Sequence, residues 1–256
     1  MKALLWLQLS TLLFAVTFLL AGWALFKGRE GRSFATLSLM TLGFVGQCAF
    51  LGLRGQALGR CPITNPYEIL VFVSWSAVLL YFLVGQAFRL SLMGVFTAPL
   101  VALFQGWALL HLSSETEYRP AEDYWLEMHA SISLLAYGSF ALAALAGVMF
   151  LLQNRLLRQG QIGSLSLSLP PVTNLSRSIP RIVGIGIILL TLGIASGFGM
   201  ERPPTGIHLA LSFSVWLLYL AFLALRFWGP LPNPRMAWCV IGAFLLPMLT
   251  LRFISH

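Results

Sequence analysis

Long apolar stretches alternate with short polar segments along the whole chain. A helix needs about 20 apolar residues to cross the ~30 Å hydrocarbon core of a bilayer. Eight stretches of this kind occur, at residues 3–26, 34–54, 67–88, 91–111, 125–154, 181–200, 207–227 and 236–255. The pattern therefore predicts an all-α fold, a polytopic membrane protein with eight transmembrane helices that forms a single domain over residues 1–256.

Composition agrees with this prediction and excludes other classes of protein. Of the 256 residues, 58% are hydrophobic and only 9% are charged, whereas about a quarter of the residues in a soluble domain are charged. So few charges cannot cover a surface in contact with water, which excludes a soluble enzyme, a disordered segment and a nucleic-acid-binding module. The first apolar stretch is longer than the core of a signal peptide, and its basic cluster follows it, so we expect a membrane span there.

The basic residues are unevenly divided between the two sides of the predicted membrane. Ten of the 16 basic residues lie in the odd-numbered connections between spans: Lys27, Arg29, Arg32, Arg89, Arg155, Arg158, Arg177, Arg181, Arg226 and Arg235. The even-numbered connections and the two termini hold seven of the eight acids. Because cytoplasmic loops carry the excess of Lys and Arg, both termini are predicted to face outward.

One connection, residues 155–180, is much longer than the others. It contains an alternating run of serines and leucines at 164–169, followed by Pro170-Pro171. Alternation of this kind predicts an extended or interfacial segment, and the two prolines are expected to prevent a continuous helix. The simplest interpretation is a linker on the inner surface of the membrane.

The four histidines are the main candidates for chemistry, because the middles of the predicted spans contain no ionisable side chain. His111 ends the fourth span, His129 lies in the first turn of the fifth, His208 opens the seventh and His256 ends the eighth. In the predicted topology all four lie at the outer face. The lack of ionisable residues at depth disfavours an ion-coupled pump.

Two interpretations of these histidines are open. In the first, they belong to a belt of Trp, Tyr and His at the membrane interface, which is common in membrane proteins. In the second, two of these four neutral imidazoles hold a haem iron, with Trp125, Tyr67 and Glu68 beside them. Haem is flat and largely apolar, so a site at the edge of the membrane suits it.

The motif Asn65-Pro66-Tyr67-Glu68 opens the third span. Asn and Pro are typical of the cap and first turn of a helix, and an acid is favourable near a helix N-terminus. This capping role explains most of the motif. Tyr67 and Glu68 also lie at the predicted depth of the histidines, a position from which either side chain can orient an imidazole N–H.

Two stretches of the sequence carry a recognisable pattern. They are T-N-P-Y-E-I-L-V-F-V-S-W-S-A-V-L-L-Y-F-L at residues 64–83 and W-L-E-M-H-A-S-I-S-L-L-A-Y-G-S-F-A-L-A-A-L-A-G at residues 125–147. These stretches resemble the cytochrome c assembly family, which comprises the CcsA-type haem-handling membrane proteins and their shorter HemX-like relatives. The resemblance is strongest over residues 62–154 and looser over 175–256. It places His129 at the position of an outward-facing haem-ligand histidine.

The sequence departs from this family at one segment. CcsA-type proteins present haem on a segment of the form W-G-x-x-W-x-W-D, whereas residues 199–208 read G-M-E-R-P-P-T-G-I-H and contain no tryptophan. His208 lies at the end of this segment and is the next candidate ligand after His129. His256 is the nearest candidate for the family's second outer histidine.

The resemblance implies an integral protein of the bacterial inner membrane that takes part in cytochrome c biogenesis. Such a protein would bind or deliver haem at the outer face through reversible axial coordination, so bond-making chemistry of its own is not expected. Apocytochrome c and a membrane partner with a periplasmic domain are the implied partners, and nucleic acid is not. The alternatives are a HemX-like regulator of tetrapyrrole synthesis that acts through protein partners, and a carrier of a hydrophobic substrate.

Overall fold

The computed structural model describes residues 2–27, 34–85, 92–112, 118, 123–160, 163–201, 206–228 and 234–254. Over these ranges the chain forms nine α-helices and no β-strand, which confirms the all-α prediction. The helices are α1 (Lys2–Phe26), α2 (Phe34–Leu58), α3 (Pro66–Val84), α4 (Met93–His111), α5 (Tyr124–Arg158), α6 (Ser164–Ser168), α7 (Val172–Gly197), α8 (Gly206–Trp228) and α9 (Pro234–Ile254).

Seven of the helices in the described ranges are long and apolar enough to cross a membrane, namely α1 to α5, α7 and α8. The part of α9 whose side chains the structure describes, Pro234–Leu249, is shorter. The chain is therefore a multi-pass membrane protein. α5 has 35 residues and is about 52 Å long at a rise of about 1.5 Å per residue, which exceeds the ~30 Å of a bilayer core.

The long connection is mostly helical, in contrast to the extended linker that the sequence predicts. α5 continues to Arg158, the serine–leucine run forms α6, and α7 begins at Val172. The Gln153 side chain donates a hydrogen bond to the Ser166 carbonyl at 3.0 Å, which ties α6 to α5. Pro171 is the N-cap of α7. A proline there costs no intrahelical hydrogen bond, so it starts this helix and does not interrupt it.

α5 lies at the centre of the bundle and packs against α3, α7 and α9. Its buried face is rich in small residues, namely Ala136, Gly138, Ala141, Ala143, Ala144, Ala146 and Gly147. In a bilayer, small residues let helices approach closely and gain van der Waals contact. At Gly138, a Cβ atom would lie only 2.5 Å from the Ser76 Cβ of α3. The small residues therefore set the spacing between α5 and its neighbours.

Hydroxyl and amide groups join α1 to α2 and α4. The Ser10 hydroxyl donates to the Gly43 carbonyl at 2.8 Å, and the Thr11 hydroxyl donates to Gln105 Oε1 at 3.0 Å. Hydrogen bonds between spans of this kind add to helix association in a bilayer. They hold α1 to the bundle although much of its surface is exposed.

The two ends of the bundle differ in chemistry. The last turns of α2, α4 and α7 and the first turns of α3, α5 and α8 form one end, called the histidine end below. It carries His111, His129 and His208, and all four acids within the described ranges, Glu68, Asp123, Glu127 and Glu201. The opposite end, called the basic end, carries Lys27, Arg155, Arg158, Arg177, Arg181, Arg226 and Arg235.

Candidate functional site

His129 is held in one orientation by a main-chain atom of α7. Its Nδ1 lies 2.7 Å from the Gly193 carbonyl oxygen, which also accepts a hydrogen bond from the Ser196 hydroxyl at 2.7 Å. A carbonyl oxygen can only accept, so Nδ1 carries the hydrogen, and in the neutral imidazole the lone pair lies on Nε2. This is the arrangement of a metal-ligating histidine, whose second ring nitrogen donates to a carbonyl or carboxylate.

A groove of glycines on α7 makes room for the side chains of α5. A Cβ atom at Gly193 would lie 2.5 Å from Ser133 Oγ, and one at Gly197 would lie 3.1 Å from His129 Nδ1. The glycines are one helical turn apart, as are the two α5 residues that face them. The short contact between His129 and Gly193 thus depends on the absence of side chains along this face of α7.

Replacing Gly193 by alanine is expected to separate α5 from α7 and to lower the free energy of unfolding by about 1–2 kcal/mol. Ser133→Ala alone should be nearly neutral, because the Ser133 hydroxyl is buried and has no hydrogen-bond partner within the described residues. The double variant should recover most of the lost stability, since it removes the atom nearest to the new methyl group. Titration of the three variants with SDS in mixed micelles measures their free energies of unfolding. A double variant as unstable as Gly193→Ala would contradict the predicted recovery.

His208 and Trp125 lie in the same neighbourhood as His129. His208 is half-buried in the first turn of α8, at the same end of the bundle as His129. Trp125 lies one turn before His129 and packs on the end of α7, where a Cβ atom at Gly199 would lie 2.6 Å from its indole ring. These three candidate residues for haem binding therefore lie at the same end of the bundle.

Tyr67 and His111 form a separate aromatic cluster at the same end. Their rings are stacked, with centroids 4.8 Å apart and an interplanar angle of 10°. Trp107 lies one turn before His111 on α4, with ring centroids 4.7 Å apart, and its carbonyl oxygen is 3.0 Å from His111 Nδ1. His111 is exposed. Trp107 is exposed as well, whereas Tyr67 is half-buried. Exposed Trp and His side chains at the end of a span fit the interfacial-belt interpretation for this cluster.

Glu68 is engaged by α2 and by its own N-terminal loop. Arg54 Nε lies 2.8 Å from Glu68 Oε1, and the two side chains are only 6% and 0% exposed. Glu68 Oε2 accepts hydrogen bonds from the Thr64 N–H at 2.9 Å and from the Thr64 hydroxyl at 2.7 Å. Both carboxylate oxygens are thus occupied by Arg54 and Thr64, and no contact with a histidine ring is found for Glu68 within the described residues.

The start of α3 agrees with its sequence, whereas the partner of Glu68 does not follow from it. Asn65 is the N-cap, and its side chain accepts from the Tyr67 and Glu68 N–H groups, as the capping motif predicts. The sequence pattern does not single out Arg54, because basic residues are common at the edge of an apolar stretch. The feature that indicates its role is that a lone arginine inside a membrane-spanning helix needs a partner of opposite charge.

Two contacts tie the first turn of α5 to the neighbouring loops. Asp123, the N-cap of α5, accepts from the Trp125 N–H at 2.8 Å and from the Glu201 N–H, just after α7, at 3.0 Å. Glu127 accepts from the Cys61 N–H at 3.2 Å and pairs with Arg60 at 3.4 Å. These contacts hold the segment that carries His129 from both sides.

Cys61 is a structural thiol in this connection. Its Sγ lies 3.5 Å from Ser131 Oγ. Burial raises the pKa of the Cys61 thiol, an effect that the hydrogen bond with Ser131 opposes. The protonated form is therefore favoured, and a protonated thiol is a weak nucleophile.

The donor set at the histidine end suits an axial pair better than a closed metal cage. Within the ranges that the structure describes, no three His, Cys, Asp or Glu side chains come together as metal ligands. Structural zinc sites use four such ligands, whereas haem iron takes one or two axial ligands. His256, the fourth candidate, lies outside the described residues.

The fold and the site together define a helical multi-pass membrane protein with an oriented imidazole at one end of its central helix. Residues 63–255, about three-quarters of the chain, match the family described as "Cytochrome C assembly protein". The chain belongs to this family, which confirms the resemblance found in the sequence.

Several relatives are proteins with the name "Cytochrome c biogenesis protein CcsA". The protein from Trichormus variabilis is 32% identical over an alignment of 133 positions that covers 50% of this chain and 36% of the relative. The protein from Chlamydomonas reinhardtii is 29% identical over 188 aligned positions, and the alignment covers 68% of this chain and 52% of the relative. The protein from Trieres chinensis is 28% identical over 232 aligned positions, with 75% of this chain and 72% of the relative covered. The chain thus spans about a third of the length of the first relative and about half of the second.

Proposed function

We propose that this chain is a component of cytochrome c biogenesis that binds haem as cargo at the histidine end, with His129 as an axial ligand and His208 as the next candidate. The observation that carries the proposal is the hydrogen bond between His129 Nδ1 and the Gly193 carbonyl. It fixes the ring and leaves Nε2 as the nitrogen that can bind iron. The names of the relatives support this function over a regulator of tetrapyrrole synthesis or a carrier of a hydrophobic substrate.

The other residues at this end have supporting parts in the proposal. Trp125, packed on Gly199, supplies an aromatic surface at the start of the segment 199–208, a segment whose sequence contains no tryptophan. Tyr67 and His111 form the aromatic rim of the same end. His256 remains a candidate ligand from the end of the chain. Haem supplies the redox-active iron, and the chain supplies orientation and reversible axial coordination, with no bond-making step of its own.

The proposed placement follows from the charges. With eight spans and the basic end on the cytoplasmic side, both termini and the histidine end face outward, which in a bacterium is the outer side of the inner membrane. Haem bound there can be passed to apocytochrome c, directly or with a membrane partner that carries a periplasmic domain. The acids at the histidine end and the arginines at the basic end support this orientation.

Replacing His129 by alanine is expected to reduce the haem that co-purifies with the protein by about tenfold or more, because the oriented ligand is lost. The measurement is the Soret absorbance per mole of protein, in the oxidised and reduced states, after purification in mild detergent. Added imidazole should restore part of the Soret band of His129→Ala by supplying the missing nitrogen.

His111→Ala is the matched control, since it removes an imidazole from the same end of the bundle but from the other aromatic cluster. It should retain most of the haem. Gel filtration shows whether each variant is folded. Equal haem content in His129→Ala and the unmodified chain would sink the assignment of this ligand, and loss of haem only in His111→Ala would move the site to the other cluster.

A further inference from the structure

A groove between α7 and α8 opens at the basic end, far from the histidines. Its volume is about 450 Å³, and it is lined by Arg177, Arg181 and Gly184 of α7 and by Leu223, Arg226 and Phe227 of α8. Arg177 lies 16 residues before Gly193, which places it about 24 Å along the helix axis from the His129 contact. The groove is therefore at the opposite face of the membrane from the site proposed above.

The charges in this groove are of one sign. Three guanidinium groups line it, and all the acids in the described part of the chain lie at the histidine end. Arg226 Nε is buried and has no hydrogen-bond partner among the described residues. A buried donor without a partner is unfavourable, and a charged one more so. The groove is thus built for an occupant that brings negative charge and hydrogen-bond acceptors.

The walls of the groove favour a lipid over a soluble anion. Most of the lining surface is apolar, and Phe227 at its edge is 84% exposed in the isolated chain. Guanidinium groups bind phosphate oxygens through paired hydrogen bonds, and basic pockets between spans on the cytoplasmic side bind anionic headgroups. An acyl chain that leaves the headgroup can continue along the exposed apolar surface of α8.

We propose that this groove binds the phosphodiester headgroup of an anionic phospholipid between α7 and α8. Arg177, Arg181 and Arg226 contact the phosphate, and Leu223 and Phe227 contact the start of an acyl chain. With the basic end in the cytoplasm, the lipid belongs to the cytoplasmic leaflet, which is the anionic one. The inference does not depend on haem binding, since the two sites lie at opposite ends of α7.

The test is native mass spectrometry of the full chain released from micelles that contain phosphatidylglycerol or phosphatidylcholine. The unmodified chain is expected to retain one phosphatidylglycerol in preference to phosphatidylcholine. Arg177→Gln and Arg226→Gln should each lower this retention about fivefold, the usual effect of one basic residue near an anionic lipid. Arg226→Lys keeps the positive charge but lacks the planar guanidinium group. Its retention of phosphatidylglycerol should lie between that of the unmodified chain and that of Arg226→Gln.

Arg155→Gln and Arg158→Gln are the matched controls, since they remove the same charge at the same end but from α5. They should leave retention within about twofold. Equal losses in all four glutamine variants would show non-specific attraction and overturn the proposal. Absence of any preference for phosphatidylglycerol would also overturn it, as would full displacement of the lipid by millimolar inorganic phosphate, which would assign the groove to a soluble anion.

Discussion

Replacing Arg54 by alanine is expected to lower the free energy of unfolding by about 3–5 kcal/mol, because it leaves the Glu68 carboxylate buried without its counter-charge. The pair is 2.8 Å long and almost fully buried, so solvent does not screen it. Thr64 donates two hydrogen bonds to the same carboxylate. These bonds hold Glu68 in place after Arg54 is removed, but they bring no positive charge.

Equilibrium unfolding in mixed micelles of rising SDS content measures this effect, and Arg60 offers a matched control. Arg60 also pairs with a glutamate, but its side chain and that of Glu127 are 24% and 19% exposed. Arg60→Ala should therefore cost at most about 1 kcal/mol. Replacing both members of the buried pair, as Arg54→Met with Glu68→Leu, should be milder than Arg54→Ala alone. If Arg54→Ala and Arg60→Ala lower the free energy of unfolding equally, the buried pair does not stabilise the fold more than the more exposed one, and the prediction is wrong.

Gly138→Ala on the central helix is expected to lower the free energy of unfolding by about 3 kcal/mol. The new Cβ atom would lie 2.5 Å from Ser76 Cβ and 2.8 Å from the Ala77 backbone nitrogen. A flexible side chain can move away from a methyl group, whereas the backbone of a neighbouring helix moves only if the whole helix does. The contact between α3 and α5 must therefore open along its length.

The same unfolding assay tests this prediction, with Gly52→Ala as its control. Gly52 also lies inside a helix, but nothing is found within 4 Å of the position its Cβ would take. Alanine is the better helix former by about 1 kcal/mol, so Gly52→Ala should be neutral or stabilising. The prediction fails if Gly138→Ala is tolerated as well as Gly52→Ala is.

The apolar stretches and the capping motif predict most of the helices. The main wrong boundary, the start of α7, results from charged residues. The cap at Asn65 and the long apolar stretches correspond to helices in the structure. The apolar pattern predicts a helix from residue 181, whereas α7 begins at Val172 and includes Arg177 and Arg181, which the pattern places in a connection. Both arginines are exposed at the basic end. A helix that reaches the membrane surface accommodates such residues, since their long side chains extend to water.

In the candidate site, only contacts between residues that are close in the sequence can be predicted. His129 and Trp125 lie one turn apart on the same helix, so their proximity follows from the sequence. The Gly193 carbonyl is 64 residues away from His129 and has no side chain to mark it. The partner of Glu68 was missed for a related reason, since contacts between spans depend on which helices are neighbours, and apolar patterning does not encode that order.

The oxygen that orients His129 belongs to the main chain, so no substitution at position 193 can remove it. A substitution at position 193 or 197 therefore disturbs the imidazole through the bulk of its side chain. The orientation of the His129 ring therefore depends on the spacing between α5 and α7. It requires no polar side chain on α7 to be kept together with the histidine. If the paired segments of α5 and α7 are built into an unrelated helical bundle, the imidazole should keep its orientation as long as positions 193 and 197 hold small residues.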